Sequence, residues 1–78
     1  MAVCAYVLIQ AEVGKSAQVA QEISQIEGIV SSDNVTGPYS VIVRAEADTV
    51  DELGRMVVTK MQLIDGITRT TTCQVVHL

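Results

Sequence analysis

The sequence predicts a single α+β domain in which a strand–helix–strand unit occurs twice, in the order β-α-β-β-α-β. The main observation is a repeated Ile-acid-Gly-Ile phrase at residues 26–29 and again at 64–67. Each copy follows a stretch with helical periodicity and opens a stretch with strand character. In addition, Ala-Glu closes an apolar run at residues 11–12 and another at 45–46. The chain has 78 residues, which is the length of one domain.

The first half of the chain contains a buried strand, a helix and a polar strand. The run Val3–Ala11 is apolar except for Gln10, which predicts a strand buried on both faces. Apolar residues at helical spacing follow from Lys15 onwards. We expect Gly28 to end this helix in the left-handed conformation that glycine adopts readily. Residues 29–35 are polar enough to predict a strand at the edge of the sheet.

The second half begins with a turn and a strand, and it ends with a helix and a last strand. The turn at residues 36–38 connects two strands and therefore predicts a hairpin, with its second strand at residues 39–47. Thr49 and Glu52 have the spacing of a capping box at a helix start. Gly54 lies inside this helix, where we expect another element to approach closely. The last strand is predicted at residues 67–78.

This order is the split β-α-β, or ferredoxin-like, arrangement. Right-handed connections place both helices on one face of a four-stranded antiparallel sheet and leave the other face bare. The first and third strands are predicted to be apolar on both sides, so we expect two sheets to pack face to face in a homodimer that resembles an α/β barrel. An apolar content of 49% in so small a chain agrees with burial between subunits.

Composition and charge argue against several classes of function. The net charge is −4, and the five Lys and Arg residues form no cluster, so the sequence predicts no direct binding to nucleic acid. No apolar run approaches the roughly 20 residues of a membrane-spanning helix. We expect a cytoplasmic protein in which Cys4 and Cys73 are reduced thiols.

The residues that could carry chemistry predict no cofactor, no metal site and no catalysis. His77 is the only histidine, and with Cys4 and Cys73 it falls short of a four-ligand zinc set. No partner for a nucleophilic cysteine is apparent. Five carboxylates are interpreted as helix caps and solvated strand ends rather than as an acid–base or metal-binding cluster. They are Glu12, Glu46, Asp48, Asp51 and Glu52.

The turn and the residues after it form the strongest candidate for a binding site. It offers an exposed aromatic side chain, a hydroxyl on either side, and a glycine whose backbone N–H can approach an anion. Binding residues often lie on loops that a rigid scaffold holds in place. The residues concerned are Thr36, Gly37, Pro38, Tyr39 and Ser40.

Several features together resemble the ligand-binding domain of the leucine-responsive regulator and asparagine regulator (Lrp/AsnC) family of transcription factors, also called the RAM domain. They are the element order, the Thr-Gly-Pro-Tyr turn at residues 36–39, the Ile-Asp-Gly-Ile at 64–67 and the Thr-x-Thr at 70–72. The resemblance implies dimers formed through the sheets and rings of dimers such as octamers. It also implies small effectors, usually amino acids, bound between dimers.

Full-length members of this family carry an N-terminal helix-turn-helix domain that binds DNA. In this sequence the first strand begins almost at once, so we expect residues 1–78 to be a stand-alone effector-binding domain without the DNA-binding domain. The resemblance places Gly37–Ser40 in the effector pocket. It also places Thr70, Thr72 and Gln74 at pocket or interface positions. The family commonly has an Asp where this chain has Ser40, which implies a different ligand, a lower affinity or a vestigial pocket.

The function predicted from the sequence is therefore an effector-binding regulatory module that binds an amino-acid-like ligand and modulates transcription or metabolism without catalysis. One alternative is a structural subunit that co-assembles with full-length regulators and adds no DNA affinity. Another is a small enzyme, because ferredoxin-like domains also host catalysis and fold alone does not decide function. An enzyme of this fold needs a cavity containing His, Asp or Arg.

Overall fold

The computed structural model describes residues 2–77 and confirms the β-α-β-β-α-β order of a ferredoxin-like domain. The second helix continues directly into a π-helical segment, which the periodicity did not predict. The elements are β1 (Val3–Ala11), α1 (Ser16–Ser24), β2 (Ile29–Asn34), β3 (Val41–Ala47), α2 (Val50–Met56), the π-helical segment (Val57–Met61) and β4 (Ile67–Gln74).

The four strands form one antiparallel sheet in the order β2-β3-β1-β4. The buried strands β1 and β3 lie in the centre, and the polar β2 lies at an edge, as predicted. The Thr-rich β4 forms the other edge. The pairing of β1 with β4 changes register between Gln10 and Ala11, so β1 is irregular at its C-terminal end.

The core lies between one face of the sheet and the two helices. The residues in the middle of β1 and β3 that point to this face are fully buried, because strand side chains alternate between faces. Helical side chains at spacings of three and four residues complete the core. The buried residues are Ala5, Val7, Ile9, Val19, Ala20, Ile23, Val41, Val43, Ala45, Leu53, Val57 and Met61.

The other face of the sheet, here called the open face, is less apolar than the sequence predicted. In β1 it carries Tyr6, which is 40% exposed, and the half-buried Leu8. In β3 it carries Ile42 but also Arg44 and Glu46, which alternate with buried residues. The prediction that the third strand is apolar on both sides is therefore wrong.

Two glycines reverse the chain between a helix and the following strand. Gly28 and Gly66 have φ angles of 98° and 100°, so the predicted left-handed conformation is confirmed at Gly28. The α1 helix itself ends at Ser24, and a turn of three residues precedes Gly28. Gly28 therefore directs the chain into β2 rather than ending the helix.

The start of α2 confirms one half of the predicted capping box, which is the bond to the Thr49 hydroxyl. The Thr49 hydroxyl accepts a hydrogen bond from the Glu52 N–H at 3.1 Å, and Asp51 and Glu52 lie in the positive first turn of the helix. The expectation for Gly54 is wrong, because no atom apart from its chain neighbours and its own helix backbone lies within 4 Å of the position that its Cβ would take. After Met56 the helix widens, and the Gln62 N–H bonds the carbonyl of Val57 at 3.0 Å.

Three predicted strand ends differ from those of the structure, and the smallest difference is at β2, which ends at Asn34 rather than Val35. The connection between β2 and β3 spans residues 35–40, so it is longer than the predicted turn, and β3 begins at Val41 rather than Tyr39. The last strand ends at Gln74, and residues 75–77 are not part of the sheet ladder. The predicted end of that strand at Leu78 lies outside the described residues.

Candidate functional site

The connection at residues 35–40, here called the 35–40 loop, is fixed to the C-terminal end of β1. The Val35 N–H bonds the carbonyl of Ser40 at 3.0 Å and closes the loop. The Ser40 N–H bonds the carbonyl of Ile9 at 2.8 Å. The Ser40 hydroxyl accepts a hydrogen bond from the Ala11 N–H at 3.3 Å, where β1 is irregular. Ser40 therefore holds the loop in place with both its backbone and its side chain.

The tip of the loop is open to a ligand. Thr36, Gly37 and Pro38 are exposed, whereas Tyr39 is half-buried instead of exposed as the sequence predicted. Gly37 has a φ of 136°, and no atom lies within 4 Å of the position of its missing Cβ. A ligand can therefore approach the backbone of this residue closely.

Gln10 connects the loop with β4. Its side-chain amide donates to the carbonyl of Pro38 at 3.1 Å. Its own backbone carbonyl accepts a hydrogen bond from the Thr68 hydroxyl, also at 3.1 Å. The sequence contained a signal for this role, because Gln10 is the one polar residue in the otherwise apolar run of β1.

The three predicted site residues of β4 do not all lie near the loop. Thr70 pairs with Ile9, beside the loop anchor, but Thr72 and Gln74 pair with Val7 and Ala5. At about 3.4 Å per residue, Gln74 lies roughly 14 Å further along the strand than Thr70. A single chain thus brings Thr70 to the end of the sheet that carries the loop, and it leaves Gln74 near the opposite end.

A polar cleft of about 290 Å³ lies between the end of the π-helical segment and the start of β4. In this cleft, called the β4 cleft below, the Gln62 amide donates to the Thr70 hydroxyl at 3.2 Å. Arg69 is the only charged residue of its lining, and sequence reasoning identified neither Arg69 nor Gln62. The lining residues are Gln62, Ile67, Thr68, Arg69 and Thr70.

Lys15 forms two ion pairs at the same end of the molecule. The Lys15 ammonium lies 3.0 Å from a carboxylate oxygen of Asp65 and 3.4 Å from one of Glu12. The hydrogen bond to Asp65 and its negative charge, with a smaller contribution from Glu12, raise the pKa of Lys15. The Lys15–Asp65 pair joins the connection before α1 to the connection before β4, close to the β4 cleft.

A second depression, of about 360 Å³, lies at the opposite end of the sheet and contains none of the predicted site residues. Its charged side chains are Glu27, Glu46, Asp48, Glu52, Arg55 and Lys60. Within residues 2–77 no group of three or more His, Cys, Asp and Glu side chains is placed to hold a metal ion.

Arg44 organises the polar part of the open face. Its guanidinium donates to the Tyr6 hydroxyl at 3.1 Å and to the Cys4 sulfur at 3.7 Å, and it lies 5.6 Å from the centre of the Tyr6 ring. The Cys4 thiol donates to a Glu46 carboxylate oxygen at 3.1 Å. The hydrogen bond to Cys4, followed by the nearby Tyr6 hydroxyl, raises the pKa of Arg44. Cys4 and Cys73 are both free thiols.

Together, the anchored loop, the ligand-sized cleft and the ferredoxin-like sheet define a small ligand-binding domain. The family model described as the Lrp/AsnC ligand binding domain matches residues 4–77. The chain therefore belongs to the Lrp/AsnC family of transcriptional regulators. None of the helices in the described part of the chain is long and apolar enough to cross a membrane.

Two relatives from Pyrococcus abyssi are helix-turn-helix-type transcriptional regulators. One is 31% identical over 55 residues, which are 70% of this chain and 37% of the relative. The other is 31% identical over 70 residues, which are 90% of this chain and 44% of the relative. The chain thus spans less than half the length of these curated relatives.

Solved structures share the fold closely. The crystal structure of FFRP-DM1 has a TM-score of 0.89 at 26% identity and covers 95% of this chain and 99% of its own. AsnC of E. coli has a TM-score of 0.89 at 21% identity and covers 97% of this chain and 52% of its own. The regulator NMB0573 of Neisseria meningitidis, solved as a complex with L-Met, has a TM-score of 0.83 at 13% identity and covers 96% of this chain and 50% of its own.

Proposed function

We propose that this chain is an effector-binding regulatory module that binds a small amino-acid-like ligand between the subunits of an oligomer and performs no catalysis. The ligand lies against the 35–40 loop of one subunit and the polar start of β4. The residues proposed to contact it are Thr36, Gly37, Pro38, Tyr39, Ser40, Thr70, Thr72 and Gln74.

The observation that carries this proposal is the way the loop is held. Its tip is exposed, yet Ser40 and Gln10 fix it to β1 through three hydrogen bonds. A loop that is ordered and also exposed loses little conformational entropy when a ligand binds. The same fold in a regulator that was solved with L-Met supports an amino-acid-like ligand here.

The proposed site needs more than one subunit. In a single chain, Gln74 is too far from the loop to share a small ligand with Thr36. Packing of two open faces, and then a ring of such dimers, would place β4 of one copy near the loop of another. Self-association is a property of regulators in this family, and an octamer is the assembly we propose.

Thermal-shift screening against the twenty amino acids at millimolar concentration tests the proposed function. A ligand present at 100 times its Kd should stabilise the fold by about 2.7 kcal/mol, which is a large shift for a domain of this size. Replacing Thr36 by Val removes an exposed hydroxyl and should weaken binding about three- to tenfold. The matched change Thr59→Val, on the π-helical segment, should leave it unchanged. If no amino acid shifts the unfolding midpoint, the proposal is wrong.

A second candidate function is co-assembly with full-length regulators of the family. The observation in its favour is that the chain corresponds to the ligand-binding part of relatives that also contain further sequence. With a net charge of −4, such a subunit would add no affinity for DNA. Affinity purification of the tagged chain from its native cells should then recover a full-length relative. Recovery of the chain alone would contradict this candidate.

We also propose a cytoplasmic location. Cys4 and Cys73 are free thiols, although they lie on the same face of the two neighbouring strands β1 and β4. Reduced thiols are typical of the cytosol, where disulfides are rare.

A further inference from the structure

We propose that dimers of this chain join through α2, which packs antiparallel against α2 of a second copy across a two-fold axis at Gly54. The surface concerned, here called the α2 flank, consists of Val50, Gly54 and Val58, and Asp51 and Arg55 border it. This inference rests on the oligomer of the proposed function and names the contact that links its dimers.

The α2 flank faces away from the centre of the sheet. Leu53 is buried in the core, and the end of the Met56 side chain lies against Gly28, at the start of β2. Successive residues of a helix are about 100° apart, so Gly54 lies on nearly the opposite side of the helix from Met56. The flank is therefore turned towards β4, the edge strand on the far side of the sheet from β2.

The three residues of the flank lie along one line of the helix. In an α-helix, every fourth residue passes a full turn by about 40°. The wider turn of the π-helical segment reduces this drift between Gly54 and Val58. The π-helical segment thus keeps Val58 close to the line that Val50 and Gly54 begin.

The flank is exposed although it is apolar. Val50 and Val58 are 52% and 59% exposed. Between them, the Cβ position of Gly54 meets no atom within 4 Å apart from its chain neighbours and its own helix backbone. Glycine inside a helix is less favourable than alanine, and no contact within the described chain accounts for it here. The close approach of a second helix does account for it, because helix axes come nearest where the side chains are smallest.

The flank is complementary to its own reversed copy. At 1.5 Å per residue, Val50 and Val58 lie about 6 Å before and about 6 Å after Gly54. When an antiparallel copy places its Gly54 opposite Gly54, each Val50 meets Val58 of the second copy. One surface then contacts an identical surface, as a two-fold interface requires.

The charges beside the flank favour the same arrangement. Asp51 and Arg55 are exposed, and the ion pairs found among residues 2–77 all involve Lys15. Arg55 also borders the second depression, so it lies on the outermost line of the helix. Asp51 lies about 4.5 Å before Gly54 and Arg55 about 1.5 Å after it. Reversal of the second helix therefore brings Asp51 of one copy within about 3 Å, along the axis, of Arg55 of the other.

A contact of this size acts together with the open face. Stable interfaces bury roughly 1,200–2,000 Å² in total, and the flank offers only about two turns of one helix. It is therefore too small to hold two single chains together. Between dimers that the open faces have already formed, the contact recurs around the assembly and each copy strengthens the others. Two different two-fold contacts on one subunit are sufficient to build a closed ring of dimers.

Sedimentation velocity of Gly54→Gln over a range of concentrations tests the contact. The added side chain should raise the concentration needed for dimers to form the ring at least about tenfold, because it overpacks the interface. At a dilution at which the wild type is also dimeric, its urea unfolding midpoint should not fall, since glutamine favours helix more than glycine does. Thr59→Gln is the matched control, because Thr59 is exposed on the side of the helix that borders the second depression. It should leave the ring unchanged.

Exchange of the two charges tests the direction of packing. Asp51→Arg and Arg55→Asp should each weaken ring formation about tenfold, because each brings like charges together across the axis. The double exchange should return ring formation to within about threefold of the wild type, because it restores opposite charges. Helical content measured at the same dilution should be similar in all variants.

The possible outcomes separate the inference from the proposed function. A ring that survives Gly54→Gln, or a double exchange that is no better than the single changes, would overturn the inference and leave effector binding intact. A wild-type chain that forms dimers only would overturn both the inference and the proposed octamer. The expected ring behaviour without any thermal shift from the twenty amino acids would support the inference and overturn the proposed ligand.

Discussion

Gly28 is the residue on which the passage from the first helix to β2 depends most. Its φ of 98° lies in the left-handed region, which costs other residues about 1–2 kcal/mol. A Cβ at this position would also lie 2.9 Å from the carbonyl oxygen of Glu46 and against the end of the Met56 side chain. Gly14 has a similar φ of 83°, but no atom lies within 4 Å of its Cβ position.

Replacing Gly28 by Ala should therefore destabilise the fold more than replacing Gly14 by Ala. Gly14→Ala should cost about 1–2 kcal/mol for the backbone conformation alone. Gly28→Ala should cost about 1–3 kcal/mol more, because a backbone carbonyl cannot move away as easily as a side chain can. Urea unfolding of the two variants measures the difference. Equal losses would show that the space around Gly28 relaxes freely.

Single residues also show how far the sequence could predict the site. The 35–40 loop was predictable because Gly37 and Pro38 favour turns whatever surrounds them. The contact between Gln62 and Thr70 was not, since it depends on how the end of the π-helical segment packs against β4. For the same reason, the sequence did not reveal which end of β4 lies beside the loop, and therefore that Thr70 is near it and Gln74 is not.

The start of α2 gives a test at the level of a single element. The Thr49 hydroxyl satisfies the Glu52 N–H, which would otherwise have no partner inside the helix. Thr49→Ala should lower the free energy of unfolding by about 1 kcal/mol. Thr59→Ala is the control, because the Thr59 hydroxyl only donates to the carbonyl of Arg55, which is a bond of little net value in a helix.

Chemical denaturation of both variants measures these effects. A loss for Thr49→Ala that does not exceed the loss for Thr59→Ala would contradict the capping role. Refolding rates add a further check, because they report whether the cap forms before or after the transition state.

The elements differ in how much of them the sequence could predict. β1 has the predicted limits because its apolar run is long and because it pairs with β3 on one side and with β4 on the other. The π-helical segment was not predictable from periodicity, since Val57 and Met61 also have the spacing of an ordinary helix and both are buried. The last strand was predicted too long because Val75 and Val76 favour strands, yet the β1–β4 pairing ends at Ala5 and Gln74.

At the scale of the whole molecule, the two helices leave the open face of the sheet uncovered. Tyr6, Leu8 and Ile42 form an apolar centre, and the Cys4–Arg44–Glu46 hydrogen bonds lie beside it. The helices cover only the opposite face, and an apolar sheet face of this kind is commonly buried by a partner. We therefore expect two copies to pack through this face, with the polar cluster helping to set their relative orientation.

Leu8→Lys should convert the oligomer into monomers. In a two-fold interface each substitution acts twice, and each Leu8 is already half-buried in the single chain. The loss of the remaining burial of two leucines costs about 1.5–3 kcal/mol and raises the dimer Kd at least about tenfold. The buried lysine charges add to this loss. Val13→Lys is the control, because Val13 is fully exposed in the connection before α1. Sedimentation velocity over a range of concentrations should show Leu8→Lys as a monomer with wild-type helical content, while Val13→Lys sediments like the wild type. If Leu8→Lys remains assembled, the subunits associate through a different surface.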